Sequence, residues 1–219
     1  MENEILTIEE CEEIGIYIYY YKNGDYQYQD KEGYLHLIRN GFDLLKGKKA
    51  KSCNSYENGD YKYKDSEGYW HLIRNGIDLL EGKNCNALYP YPNGDHNYRD
   101  SEGYVHLIRD GIDLLKDKKA KYCWSFSNGD YQYQDKEWYS HLIRNDDDLL
   151  KGKKAKDSWS YDDGDYYYND SKGYYHLIRD DIDLLKGKDA KYCYSYNNGY
   201  YKYEDSEGKW HYIKKEPKT

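Results

Sequence analysis

A 35-residue period runs the length of this 219-residue chain and restricts its fold more than any other feature. Asn-Gly-Asp frames begin at Asn23, Asn58, Asn93 and Asn128, and continue as Asp163-Gly164-Asp165 and Asn198-Gly199-Tyr200. His36, His71, His106, His141, His176 and His211 keep the same spacing, each two residues ahead of an isoleucine, so six of the seven histidines belong to the unit. A unit this short cannot bury both of its faces alone. It must stack on its neighbours, as the units of propellers and solenoids do.

Each copy reads as four short strands. Strand A, as in Tyr61-Lys62-Tyr63-Lys64, alternates tyrosine with polar residues at period two, which gives one aromatic face and one wet face. A turn such as Asp65-Ser66-Glu67-Gly68 follows, and Trp138 replaces its glycine in the fourth copy. Strand B, Tyr69-Trp70-His71-Leu72-Ile73-Arg74, carries apolar groups on both faces and is expected to be covered on both. Asn75-Gly76 is a hairpin dipeptide leading to strand C, Ile77-Asp78-Leu79-Leu80. Strand D, as in Tyr192-Cys193-Tyr194-Ser195-Tyr196, enters the next frame. Turn signals recur too often for a stable helix, so the expected fold is all-β throughout.

The sixth copy stops after strand B, whereas Ile5-Leu6-Thr7-Ile8 and Ile16 to Tyr21 resemble a spare strand C and strand D. The predicted architecture is therefore a single repeat domain over 1–219. It is a closed six-bladed β-propeller whose N- and C-terminal strands complete one blade, since closure removes sticky sheet edges. The alternative is an open β-hairpin solenoid.

The 32 tyrosines make the chain tyrosine-rich and speak for an ordered fold rather than a disordered one. A net charge of −8 disfavours nucleic acid. No run of 18 apolar residues occurs to span a membrane, and the acidic N-terminal stretch lacks a signal-peptide pattern. Five cysteines without zinc-ligand spacing read as free thiols, so a cytoplasmic location is expected.

The last copy reads Glu207-Gly208-Lys209-Trp210-His211-Tyr212-Ile213, preceded by Tyr196-Asn197-Asn198-Gly199. This resembles the WG repeat family, also called KWG repeats. His211 and its equivalents stand at that family's second glycine, and its tryptophan occurs here only at Trp70 and Trp210. The resemblance implies a binding or structural module without a shared catalytic centre.

His71 with Arg74 and Asp78 has the ingredients of acid-base chemistry, but the same trio recurs in five copies, as expected of a polar network tying strand B to strand C. The acidic set Asp25, Asp60, Asp95, Asp130 and Asp165 is read chiefly as turn chemistry, with cation binding as the sharper alternative. No nucleophile motif or phosphate-binding loop is present, so no catalytic residue, metal site or cofactor is assigned. Near-identical copies differ most at two sets of positions, which hold Trp70, Trp124, Trp159, Tyr175, Tyr194 and Trp210. These six are the candidate binding residues, because large aromatics anchor protein interfaces and stack on sugars. A protein partner is the leading expectation. A multivalent lectin-like module binding glycan is the alternative.

Overall fold

The computed structural model describes residues 7–13, 16–196 and 199–215. They form one short helix, α1 (Ile8–Glu13), and 23 strands. The first sheet comprises β1 (Ile18–Tyr20), β2 (Tyr26–Gln29), β3 (Leu35–Arg39) and β4 (Phe42–Asp43). The second comprises β5 (Ser52–Ser55), β6 (Tyr61–Lys64), β7 (Trp70–Arg74) and β8 (Ile77–Asp78). The third holds β9 (Ala87–Pro90), β10 (His96–Arg99), β11 (Val105–Arg109) and β12 (Ile112–Asp113). The fourth holds β13 (Tyr122–Ser125), β14 (Tyr131–Gln134), β15 (Ser140–Arg144) and β16 (Asp147–Asp148). The fifth is β17 (Asp157–Ser160), β18 (Tyr166–Asn169), β19 (Tyr175–Arg179) and β20 (Ile182–Asp183). The sixth has three described strands, β21 (Tyr192–Tyr196), β22 (Tyr200–Glu204) and β23 (Trp210–Lys214).

The fold is thus all-β, one antiparallel sheet per repeat, with strands ordered as the predicted D, A, B and C. Four-stranded sheets repeated along a chain are the blades of propeller architecture. Strand C is shorter than expected: pairing stops after two residues, and the leucines that follow lie in a turn. The Asn-Gly hairpin adopts left-handed backbone at both positions, as at Asn40 (φ 49°) and Gly41 (φ 77°), which matches the right-handed twist of the flanking strands.

The chain divides into two compact units, Met1–Leu88 with Tyr98–Glu102, and Tyr89–Asn97 with Gly103–Thr219. In the first unit, Leu37, Leu45 and Ala50 of one repeat pack on Cys53, Tyr63 and Ile73 of the next. The second unit repeats that interface three times, for instance with Leu142, Leu150 and Ala155 against Tyr166, Tyr168 and Ile178. The leucine face of one sheet meets the tyrosine face of its successor, and each fully buried leucine contributes about 1.5–3 kcal/mol. This is why strand B must be apolar on both sides.

The N-terminal strands differ from expectation. Ile18–Tyr20 pairs with β2 and belongs to the first sheet. Ile8 opens a helix, where a strand was predicted, and Ile5 and Leu6 lie outside the described residues. The reason is a reciprocal cap: Thr7 N–H donates to Glu10 Oε2 (2.8 Å), and Glu10 N–H donates to Thr7 Oγ1 (3.2 Å). The helix brings fully buried Cys11 onto Tyr28 and Ile38. It thereby covers the tyrosine face of the first sheet, the face that in the second sheet is covered by the leucines of the first.

Candidate functional site

Two polar networks recur along the first five repeats, and between them they absorb most of the charged residues flagged by the sequence. In the first, His36 Nδ1 meets Asp43 Oδ2 at 2.8 Å and Nε2 meets Asp30 Oδ2 at 3.2 Å, while the ring stacks on Tyr28 with centroids 4.8 Å apart. The same turn Asp accepts backbone N–H bonds from Glu32 and Tyr34. The hydrogen bond to Asp43 leads the effects that raise the pKa of His36. His141 is raised likewise, through Asp148 and then Asp135. With both ring nitrogens engaged and one face stacked, these histidines act as cross-strand fasteners.

The arginine predicted to share that network belongs to a second one. Arg39 donates from Nη2 to Asp25 Oδ2 at 2.7 Å and from Nη1 to the carbonyl of Gly59 at 2.8 Å. Ser55, on the next sheet, donates its hydroxyl to the same carboxylate, and Asn23 Nδ2 reaches Ser55 Oγ at 2.8 Å. Burial opposes ionisation of Asp25, but the bonds from Arg39 and Ser55 win and hold its pKa below the usual carboxylate value. Equivalent clasps join Asp95 to Arg109 and Ser125, and Asp130 to Arg144 and Ser160. At Asp165, Arg179 and the Tyr201 hydroxyl take these places. These carboxylates are therefore occupied by cations and hydroxyls of the chain itself. Among the described residues no cluster suited to a metal ion occurs. The clasp was missed although its signal was present: serines at 55, 125, 160 and 195 keep the repeat spacing.

The six candidate aromatics do not form one surface. Trp124 on β13 and Trp159 on β17 stand together, with ring centroids 6.2 Å apart and planes tilted by 32°. Each strand alternates buried and exposed positions, so Cys123 and Ser125 point into the core while Trp124 stays 38% exposed and Trp159 39%. Tyr91 meets Trp124 edge-on at 5.4 Å and Phe126 meets Trp159 edge-on at 5.1 Å, which fixes both indoles. Tyr91 is itself held, with its hydroxyl donating to the Cys123 carbonyl. Between and beside the indoles runs a groove of about 290 Å³ lined also by Pro92, Asn93, Tyr161 and Asp162.

Tyr194 and Trp210 meet on the sixth sheet, 5.9 Å apart, with Lys202 Nζ 4.1 Å above the indole. Tyr175 is half-buried and packs between Tyr167 and Tyr192. Trp70 is half-buried under Lys62 and Lys64 in the other unit. Trp124 and Trp159 are thus brought together, Tyr194 and Trp210 form a second cluster, and Tyr175 and Trp70 serve packing. Cys53, Cys123 and Cys193, which share one position of the repeat, are buried, and burial pushes the Cys53 thiol up to about 12.

No family model matches the chain, and no curated protein does. Among solved structures it is similar to YCF48 bound to D1 peptide, at 9% identity and a TM-score of 0.34, over 98% of this chain and 82% of that one. It is also similar to the WD40 β-propeller domain of Doa1, at 12% identity and a TM-score of 0.34, over 87% and 78% of the two chains. The C-terminal WD40 domain of Sif2 gives 12% and 0.35, over 91% and 69%.

Proposed function

We propose that this chain is a non-catalytic repeat scaffold that binds a protein partner in the groove of Trp124 and Trp159. The observation that carries this reading is the pair of indoles, part-exposed on adjacent repeats yet locked from behind by Tyr91 and Phe126. Rigid aromatics beside a groove anchor interfaces because little side-chain entropy is lost when they are covered. The histidine–aspartate pairs support a structural role over a catalytic one, since the same closed arrangement recurs from repeat to repeat.

Glycan binding is the weaker reading. A sugar needs polar groups beside its stacking platform, and Asn93 spends its amide on Ser125 Oγ and the Phe126 carbonyl. The Asp162 carboxylate accepts the Ser127 hydroxyl. The test is affinity capture of a partner by tagged chain from its source lysate, repeated with purified partner and a Trp124→Ala/Trp159→Ala variant. Loss of at least tenfold in affinity with an unchanged melting temperature is expected. Retained binding sinks the assigned groove, and sugar-competed binding on a glycan array in its place turns the reading to a lectin.

A further inference from the structure

Six Asn-Gly pairs lie among the described residues, and the fold places them in two different environments. Asn-Gly loses ammonia more readily than other asparagine pairs, because glycine has no side chain to shield its nitrogen from the neighbouring amide carbon. In a folded chain the fate of each pair depends on how firmly the asparagine amide and the glycine N–H are held.

At the frame positions both are held. Asn23 Nδ2 reaches Ser55 Oγ at 2.8 Å and the Tyr56 carbonyl at 3.0 Å, and its Oδ1 accepts from Asp25 N–H at 3.1 Å. Gly24 N–H donates to the Tyr21 carbonyl at 3.1 Å. Asn93 and Asn128 repeat all four bonds. Asn58 keeps the bonds of its own turn, to Asp60, but Pro90 stands where the next repeat would supply the serine.

The hairpin pairs Asn40-Gly41 and Asn75-Gly76 are exposed at both residues. Among the described residues neither asparagine amide and neither glycine N–H makes a hydrogen bond. A Cβ on either glycine would meet nothing within 4 Å, so the tips have open space around them. The left-handed backbone at Asn40 must swing before its side chain can reach the Gly41 nitrogen. Behind that tip stand only two ladder pairs, Ile38 with Asp43 and Arg39 with Phe42.

We infer that Asn40 and Asn75 are sites of spontaneous deamidation, a covalent change confined to the hairpin tips of the first two sheets. The Gly41 nitrogen bonds to Cγ of Asn40 as the Cγ–Nδ2 bond breaks, and the side-chain nitrogen leaves as ammonia with the proton of the Gly41 amide. Water then opens the cyclic imide at one of its two carbonyls. The product is aspartate or, with the backbone rerouted through Cγ, isoaspartate.

The two products differ in consequence. Asp110 and Asp180 already occupy the equivalent position at φ 48°, against 49° for Asn40 and 50° for Asn75. Aspartate therefore leaves the hairpin intact and adds one negative charge. Isoaspartate adds an atom to the backbone of a two-residue turn and displaces Asp43 or Asp78, which hold His36 and His71 at 2.8 and 2.6 Å. The histidine fasteners of the first two repeats are thus the ones that loosen as the protein ages.

The test incubates the full chain in mildly alkaline buffer, digests samples over time and resolves aspartate from isoaspartate peptides by chromatography and mass spectrometry. Asn40 and Asn75 should convert about tenfold or more faster than Asn23, Asn93 and Asn128, with Asn58 between, since a frame asparagine must first break several hydrogen bonds. Unfolded in urea, the six should converge. The Asn40→Asp/Asn75→Asp variant should keep the melting temperature of the parent chain. Native rates at Asn40 and Asn75 no faster than at the frame positions overturn the inference. So does a rate difference that persists in urea, which would assign it to flanking residues rather than to the fold.

Discussion

The fourth and sixth sheets are built from one 35-residue frame, yet they end as opposites. Leu142 at the centre of β15 is fully buried, whereas its equivalent Tyr212 on β23 is 63% exposed. Ser140 likewise is 3% exposed and Trp210 39%. The arrays share backbone, register and the histidine that stacks on a tyrosine. What differs is the cover: a successor sheet lies on the leucine face of the fourth, and that of the sixth is left to Tyr, Trp and Lys. Amphipathic rings tolerate water where leucine would not. The lesson is that the frame specifies a blade, and a handful of face positions specify how far the outer face of that blade is withdrawn from water.

The largest expected effect contrasts those two positions directly. Leu142→Ala leaves a cavity in a closed core and should cost about 2–5 kcal/mol. Tyr212→Ala should shift stability by about 0.5 kcal/mol, as exposed substitutions do. Urea midpoints measure both, and equal losses would break the comparison.

A smaller effect concerns backbone. Trp138 holds φ +66° in the turn of the fourth sheet, at the position where the sixth sheet has Gly208 at +82°. Its ring is 61% exposed, so little packing offsets the left-handed strain. Trp138→Gly should therefore stabilise by about 1 kcal/mol, read from the thermal midpoint, whereas Gly208→Ala should destabilise.

The smallest effect is in pH. The pKa of His141 is raised above 6.5 by its bond to Asp148 and, after the opposing burial, by Asp135. The folded state therefore binds the imidazole proton more tightly than the unfolded chain does. Its contribution is complete below pH 6.5 and is lost as pH climbs through the raised value. Melting temperature should fall between pH 6 and pH 9, and His141→Gln should flatten that slope. Asp148, with its pKa lowered by the His141 bond against the pull of burial, adds stability that disappears only on acidification below 3.8.

Much of this was legible because period and alternation act locally. Strand A over Tyr61–Lys64, strand D over Tyr192–Tyr196 and the six-sheet count all followed from spacing alone. Strand B was placed within one residue, at Trp70–Arg74. The pairing of Arg39 with Asp25 was not legible, because it joins a turn to residues 14 positions on and to a serine 30 positions away. Helix α1 carried its own sign in Thr7-Ile8-Glu9-Glu10, a capping box outweighed by the apparent match to a strand. The split of the aromatic candidates into groove, cluster and packing depends on which sheet lies behind each ring, and no single repeat encodes that.

The clasp between neighbouring repeats has a consequence for how such a chain changes its length. Asn23 with Ser55, Asn93 with Ser125 and Asn128 with Ser160 are the same junction made of the same atoms. A recombination that excised the repeat between two of these junctions would rejoin Asn to Ser in a pairing the protein already uses. Each junction is thus a grammatical break at which a unit can be copied or dropped without new chemistry, and the number of blades becomes a heritable variable while the blade itself stays fixed.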